Sequence, residues 1–499
     1  RNMKKLYRYS TIVFSVLSLS LTSCSDYLDR DDDDNITEAD VFARYEKVNG
    51  LVSDVYAAAK KADRPLVFFE HFSNSAITDE CEGTNVEGNI TNNFNNGAWN
   101  PNSLPGSVGQ YWEALYEGIR KANLIIENVE KYNTPDNPQQ DGDLRNRIGE
   151  MYFMRGYFHM LLMRMYGEAP YIDYVVHAGD NMDFKKESVH AMVEKIVADA
   201  QTAYSMVPNK YVKTSENFGR VDKGACLGLI AFVRWVAATP LWNGASQYGY
   251  NLRRVFENEY AYDINRWRRA KEAAKAVMDF EVGGTKRYSL YTKHDANDFK
   301  DPADGNLNDS RVYARLWDMF YDMDAFANEY VFFMTKSKDQ AWQGDIYPPS
   351  REGSSRQQPV QEQVDEYEYI VGDYGYPVYS AEARKGGYDD ANPYVKGTRD
   401  PRFYRDIIYH GAPYRNNNNE SKIINTASGS DKIGATNATT TGYYLRKFQQ
   451  ESWNKSGNFS INAPAIWRLP EFIYIYAEAC NELGEDIDEA YKQVNIVRE

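Results

Sequence analysis

Between Val108 and Met165 the apolar residues recur at alternating steps of four and three, a spacing that dictates helices with one buried face. Val108, Trp112, Leu115, Ile119, Ala122, Ile126 and Val129 form the first stripe. Pro135 and Pro138 break it. Leu144, Ile148, Met151, Arg155, Phe158, Leu162 and Met165 form a second, which stops at Gly167 and Pro170. At 3.6 residues per turn each set lies along one side of a helix, whereas a half-buried strand needs a period of two. Arg155 sits inside the second stripe and is read as a packed structural arginine with a carboxylate partner.

The same style continues on both sides of a long interruption. Ser188 is placed to cap a helix running to about Met206, before Pro208. Residues from about Asp222 to Ala238 are apolar nearly all round, which marks a central helix. Another starts near Asn265 and carries Trp267, Ala270, Ala274 and Val277. Pro470 suits a first helical turn, and Phe472, Ile475, Ala479 and Leu483 lead to Gly484 at the stop. A last helix carries Ile487, Ala490, Val494 and Val497, and its pattern is still running at Glu499, which reads as a truncated helix pair. Trp242, Trp317, Trp453 and Trp467 stand beside apolar patterns and are expected in the core. Between about 281 and 465 the chain is rich in Gly, Asn, Tyr and Pro, with Gly372-Asp373-Tyr374-Gly375-Tyr376-Pro377 and the Asn416 to Asn419 tract as examples. It reads as loops with short helices and strand pairs.

The N-terminus sets the compartment. Lys4, Lys5 and Arg8 precede an apolar stretch from Thr11 to Leu21. As a helix that stretch spans about 17 Å against a hydrocarbon core of roughly 30 Å, so it reads as a signal-peptide core and not a membrane span. It ends in Leu21-Thr22-Ser23-Cys24, similar to a lipobox in which Cys24 takes the lipid; a plain secretory signal is the alternative. Asp29 and Asp31 to Asp34 follow as a solvated tether. The expected organisation is a signal peptide at 1–23, an acidic tether at 24–40, a helical scaffold at 41–280 with a loop-rich insert at about 73–106, an irregular half at 281–465 and a terminal helix pair at 466–499. A net charge of −15 with no basic stripe excludes a nucleic-acid partner. Cys81, Cys226 and Cys480 are too widely spaced for a disulfide framework or a metal motif, and Cys226 and Cys480 are expected as buried thiols.

These residues resemble the SusD/RagB family of outer-membrane nutrient-binding lipoproteins. The resemblance rests on Cys24, on Tyr111-Trp112-Glu113-Ala114-Leu115-Tyr116 with Ile119 and Asn123, and on Met154-Arg155-Gly156-Tyr157-Phe158 with Tyr166-Gly167-Glu168-Ala169-Pro170. Arg399-Asp400-Pro401-Arg402, Arg446-Lys447-Phe448, Arg468-Leu469-Pro470-Glu471, Tyr476-Ala477-Glu478-Ala479 and Asn481-Glu482 follow in order. It implies a mainly α fold, a tetratricopeptide-like helix-pair scaffold carrying a loop-rich variable half with short helices and strands. It also implies surface exposure at the outer membrane, held by the lipid anchor alone. The implied partners are oligosaccharide, bound without cleavage, and a SusC-like TonB-dependent barrel over which the protein acts as a lid.

Candidate ligand residues come from two loops that combine flat aromatics with hydrogen-bonding groups, the general recipe for a small-ligand site. The first holds Asn92, Asn93, Asn95 and Asn96 around Phe94, then Trp99 and Asn100; the second is Trp342-Gln343-Gly344-Asp345-Ile346-Tyr347 followed by Arg351. Trp99, Trp342 and Tyr347 are the expected stacking platforms, as the resemblance also implies, with Asn96, Asn100, Gln343 and Arg351 as polar contacts. Trp99 either faces solvent or packs under its own loop, and Asp79 either lines the same face or caps a turn. Asp304, Asn306 and Asn308 offer oxygens at alternating positions for Ca²⁺, but Gly is missing at the sixth position and Arg315 stands where the loop needs Glu; a solvated turn is the simpler reading, and no cofactor is expected. The six His residues show no H-E-x-x-H spacing, and there is no G-x-S-x-G elbow, so an enzyme is not expected. A peptide-binding lipoprotein of the RagB type, a surface glycoside hydrolase and a purely structural contact protein are the competing readings.

Overall fold

The structure is a computed structural model that describes residues 37–42, 44–62, 73–83, 90–100, 102–103, 106–132, 138–211, 217–244, 256–295, 298–300, 312–334, 344–395, 397–415, 421–449 and 465–498. The leader, Cys24, the calcium candidates Asp304, Asn306 and Asn308, and Trp342, Gln343 and Trp453 lie outside these residues.

Eight helices of the described residues build the scaffold: α1 (Tyr45–Ala62), α2 (Gly106–Tyr132), α3 (Pro138–Tyr166), α4 (Val189–Met206), α5 (Lys223–Ala238), α6 (Ile264–Met278), α7 (Leu469–Leu483) and α8 (Ile487–Arg498). Each packs on the one before it, and α7 returns to pack on α6 although residues 279–468 intervene. Caps set several of these ends, at Ser188 and Gly484 as expected and at Asp222 in addition. Ser188 Oγ accepts from the Ala191 N–H at 3.2 Å to start α4, and Asp222 Oδ1 accepts from the Ala225 N–H at 3.1 Å to start α5. Gly484, at φ 65°, closes α7 in the left-handed conformation that favours glycine.

Two helices on the N-terminal side of the loop-rich insert are not expected from the sequence pattern. A short one at Glu38–Phe42 begins inside the expected tether, because Thr37 and Asp40 cap each other: Thr37 Oγ1 accepts from the Asp40 N–H, and the Asp40 carboxylate accepts from the Thr37 N–H. Helix α1 buries Val48, Val52, Val55 and Ala59 at steps of four and three, a short stripe among Lys and Ala.

One large core joins these helices. Its centre is α5, where Gly228 leaves room for close approach: a Cβ there would meet Val331 Cγ1 at 2.9 Å and Phe472 at 3.2 Å. Trp467 lies fully inside, its ring 5.7 Å from Phe232, 5.7 Å from Phe332 and 5.9 Å from Tyr157. Trp317 is buried and Trp242 packs against the main core, as expected. Cys226 and Cys480 are buried free thiols, and so is Cys81.

Arg155 is paired as expected. Its Nη2 and Nε meet the Asp199 carboxylate at 2.6 and 2.8 Å, and the Tyr171 hydroxyl donates to the same carboxylate. The irregular half has its own aromatic cores and short antiparallel pairs, such as Tyr369–Val371 with Tyr374–Tyr376 and Pro413–Arg415 with Ser421–Ile423. Two strand pairings are among the contacts that hold it to the scaffold. Strand β3 (Tyr330–Phe333) pairs with β5 (Ala465–Arg468), directly before α7. The other is a three-stranded sheet of β1 (Ile77–Thr78), β2 (Cys81–Gly83) and β4 (Gln357–Pro359), in which Cys81 faces Pro359 and Gly83 faces Gln357.

Candidate functional site

That three-stranded sheet brings the first candidate loop against the chain just beyond the second. Its hydrogen bonds are reinforced by Gln357, whose side-chain oxygen accepts from both the N–H and the hydroxyl of Ser73, at 3.0 and 2.7 Å. The neighbouring Gln358 points into a third segment: its Oε1 accepts from the Thr440 N–H at 2.6 Å and from the Thr439 hydroxyl at 3.1 Å, while its Nε2 donates to the Ser355 carbonyl at 2.7 Å. Both glutamines are buried. A buried amide left without partners costs about 1–3 kcal/mol, so this pair fixes the relative placement of three loops. Nothing in Arg356-Gln357-Gln358-Pro359 marked it in the sequence, since two adjacent glutamines look like any exposed polar pair.

Within the insert, a helix at Ile90–Asn95 rests on Ala76 and Ile77 and reaches Val108 at the start of α2. Asn95 Nδ2 donates to the Ala76 carbonyl at 3.2 Å. Burial holds the Glu82 carboxyl above its usual range, offset by a hydrogen bond from Asn95. Gly97, at φ 64°, ends the helix and turns the chain outward to Trp99. The Trp99 ring lies 5.5 Å from Phe94 at 51° and is still 41% exposed. Both readings of this residue are thus partly realised: one side of the indole is held by its own loop, and much of the ring faces solvent. Asn96, Asn100 and Asp79 are exposed on the same small body. Asn100 Oδ1 already accepts from the Asn102 N–H at 2.9 Å, which leaves its amide N–H₂ for another partner. Asp79 sits in the turn between β1 and β2.

The second loop corrects two expectations. Tyr347 is fully buried in an aromatic core with Phe403, Tyr414 and Tyr444, so its ring offers no face to a ligand. Arg351 is also buried, its guanidinium 4.9 Å from the Tyr347 ring and 5.3 Å from that of Tyr414. The cause is a fold-back. The N–H groups of Ser354, Ser355 and Arg356 donate to the carbonyls of Gly344, Tyr347 and Asp345, closing the loop over its own aromatic residue. Gly353 permits this, since a Cβ there would lie 1.9 Å from the Tyr347 carbonyl oxygen. Polar neighbours in the sequence gave an impression of exposure that the return of the chain removes.

Among the described residues no group of three or more His, Cys, Asp and Glu is placed to hold a metal ion, and no helix is long and apolar enough to cross a membrane. The arrangement offers a part-exposed indole with the exposed amides of Asn96 and Asn100 close to it in the chain, on a body braced against the scaffold.

Comparison with known proteins agrees with this architecture. Residues 26–233 match a family model described as starch-binding and associating with the outer membrane, and residues 316–499 match the model of the SusD family. A SusD-like protein P2 of Formosa agariphila is 26% identical over 202 residues, which are 40% of this chain and 38% of that protein. The chain thus aligns with well under two thirds of that relative's length. A crystal structure of a SusD-like protein from Bacteroides fragilis superposes with a TM-score of 0.66 at 19% identity, over 92% of this chain and 79% of the other. A SusD-like carbohydrate binding protein of the same organism gives 0.66 at 15% identity, over 92% and 78%.

Proposed function

This chain belongs to the SusD/RagB family, and from that premise we propose that it is a non-catalytic, surface-exposed oligosaccharide-binding lipoprotein of the outer membrane. It is anchored by a lipid on Cys24 and serves as the lid of a SusC-like TonB-dependent transporter. The observation that carries the reading is the half-exposed Trp99 indole, supported from behind by Phe94 and flanked by Asn96 and Asn100. A pyranose ring has one apolar face that stacks on an indole, and its hydroxyls hydrogen-bond amides and carboxylates; Asn96, Asn100 and Asp79 are the proposed polar contacts. The family descriptions and the carbohydrate-binding relative support the ligand class. Trp342 and Gln343 remain the proposed second platform and its polar neighbour, on sequence alone.

The test is isothermal titration of the chain lacking residues before Ser25 with a panel of plant and host oligosaccharides. Trp99→Ala and Trp342→Ala should each weaken binding about tenfold or more, equivalent to about 1.4 kcal/mol or more, with no sugar product released. Heat with peptides and none with any sugar would move the assignment to a peptide-binding protein, and turnover of the sugar would make it an enzyme.

A further inference from the structure

A second concave surface lies on the scaffold, separate from the Trp99 insert. It is a groove of about 660 Å³ between α2 and the segment joining α3 to α4. Trp112 and Tyr116 on α2 form one side, and Tyr174, Met182 and Phe184 form the other. Small-ligand sites fall in the range of about 300–1,000 Å³ and combine aromatic walls with a few polar groups.

The far wall is held before any ligand arrives. Tyr116 Oη donates to the Pro170 carbonyl at 2.7 Å, and Asn123 Nδ2 donates to the carbonyls of Ile172 and Tyr174 at 3.1 and 2.9 Å. The buried Arg155 donates to the Asp173 carbonyl at 3.0 Å and to Asn123 Oδ1 at 3.0 Å. Four consecutive-to-alternate carbonyls are thereby tied to α2 and α3. A wall fixed in this way loses little conformational freedom on binding.

What the groove leaves unused defines its ligand. Tyr174 stands 50% exposed, and neither its hydroxyl, the Trp112 indole N–H nor the Glu113 carboxylate has a hydrogen bond among the described residues. A wholly apolar ligand would take water from the Glu113 carboxylate without giving it a partner. A ligand with flat apolar faces and hydroxyls around its edge satisfies all three groups. We propose that this groove is a second oligosaccharide subsite, with Trp112 and Tyr174 contacting the sugar faces and Glu113 accepting from hydroxyls. The proposal rests on the glycan-binding reading above but on different residues.

The experiment counts sites by titration, using the oligosaccharide that binds tightest, on the unaltered chain and on Trp99→Ala, Glu113→Gln and Tyr174→Ala. The last two residues are exposed, so their substitution leaves the core intact; circular dichroism checks this. Trp112 packs on Tyr166 at 4.9 Å and is left unaltered for that reason. Two sites are expected, with Glu113→Gln and Tyr174→Ala each weakening one about tenfold and Trp99→Ala weakening the other. A single site abolished by Trp99→Ala and indifferent to both groove variants would overturn this proposal and leave the glycan reading standing. Binding lost only in the groove variants would support the subsite and remove the Trp99 assignment. No binding of any sugar would overturn both.

Discussion

His159 and His190 are imidazoles that burial keeps neutral. His159 has its ring pKa lowered to about 3 and His190 to about 4, in each case chiefly by desolvation. The contacts of His159 fix one tautomer: Nε2 accepts from the Ile172 N–H at 3.0 Å, so Nδ1 carries the proton that it donates to the Arg155 carbonyl at 2.8 Å. An unfolded chain takes up protons at both rings near pH 6.5, and the folded chain refuses them until about pH 4 and 3. Stability from this source is therefore complete above pH 6.5 and is lost as pH falls through that window. Glu471 works in the opposite sense. Burial raises its carboxyl to about 7, so its contribution is present below about 4.5 and is lost as pH rises through 7. His190 Nε2 donates to the Trp242 carbonyl at 2.9 Å, a bond that glutamine can retain. Urea unfolding of His190→Gln between pH 4.5 and 6 should show a slope of stability against pH shallower by about one proton, near 1.4 kcal/mol per pH unit. An unchanged slope would show that this imidazole titrates normally in the folded chain.

At the scale of elements, helix boundaries follow from local chemistry, while loop placement follows from single buried groups. The ends of α4, α5 and α7 sit at Ser188, Asp222 and Gly484, where capping chemistry is written in the adjacent residues. The sheet of β1, β2 and β4 is different, because strands of two or three residues carry no readable period. Its register depends on Gln357 meeting Ser73 across 284 positions. Replacement of Gln357 by Leu removes the acceptor and leaves the buried Ser73 N–H and hydroxyl without it. The expected cost is about 1–3 kcal/mol of stability, read by denaturant unfolding, together with weaker sugar binding at Trp99. Loss of stability with unchanged binding would mean that the insert is positioned by its packing on Val108 and Tyr166 alone.

Over the whole molecule, the ladder of helices is closed by a contact between distant parts of the chain. Trp467 on β5 touches rings from α3, α5 and β3, so the scaffold and the irregular half share this one side chain. Trp467→Ala should cost about 3–5 kcal/mol and lower a single unfolding transition seen alike by circular dichroism and fluorescence. Two separated transitions would show that the halves unfold independently. Seven of the eight scaffold helices, the ends at Ser188 and Gly484, the paired Arg155 and the burial of Cys226, Cys480 and Trp467 were legible in the sequence, because periodicity and capping act over a few residues. The sequence also marked Trp99 as a candidate platform. The placing of Tyr347 and Arg351 inside an aromatic core, the tie of the insert by Gln357 and the meeting of Trp112 and Tyr174 in one groove came only with tertiary packing. Those outcomes depend on which distant segments come to lie against one another, and short-range spacing carries no information about that.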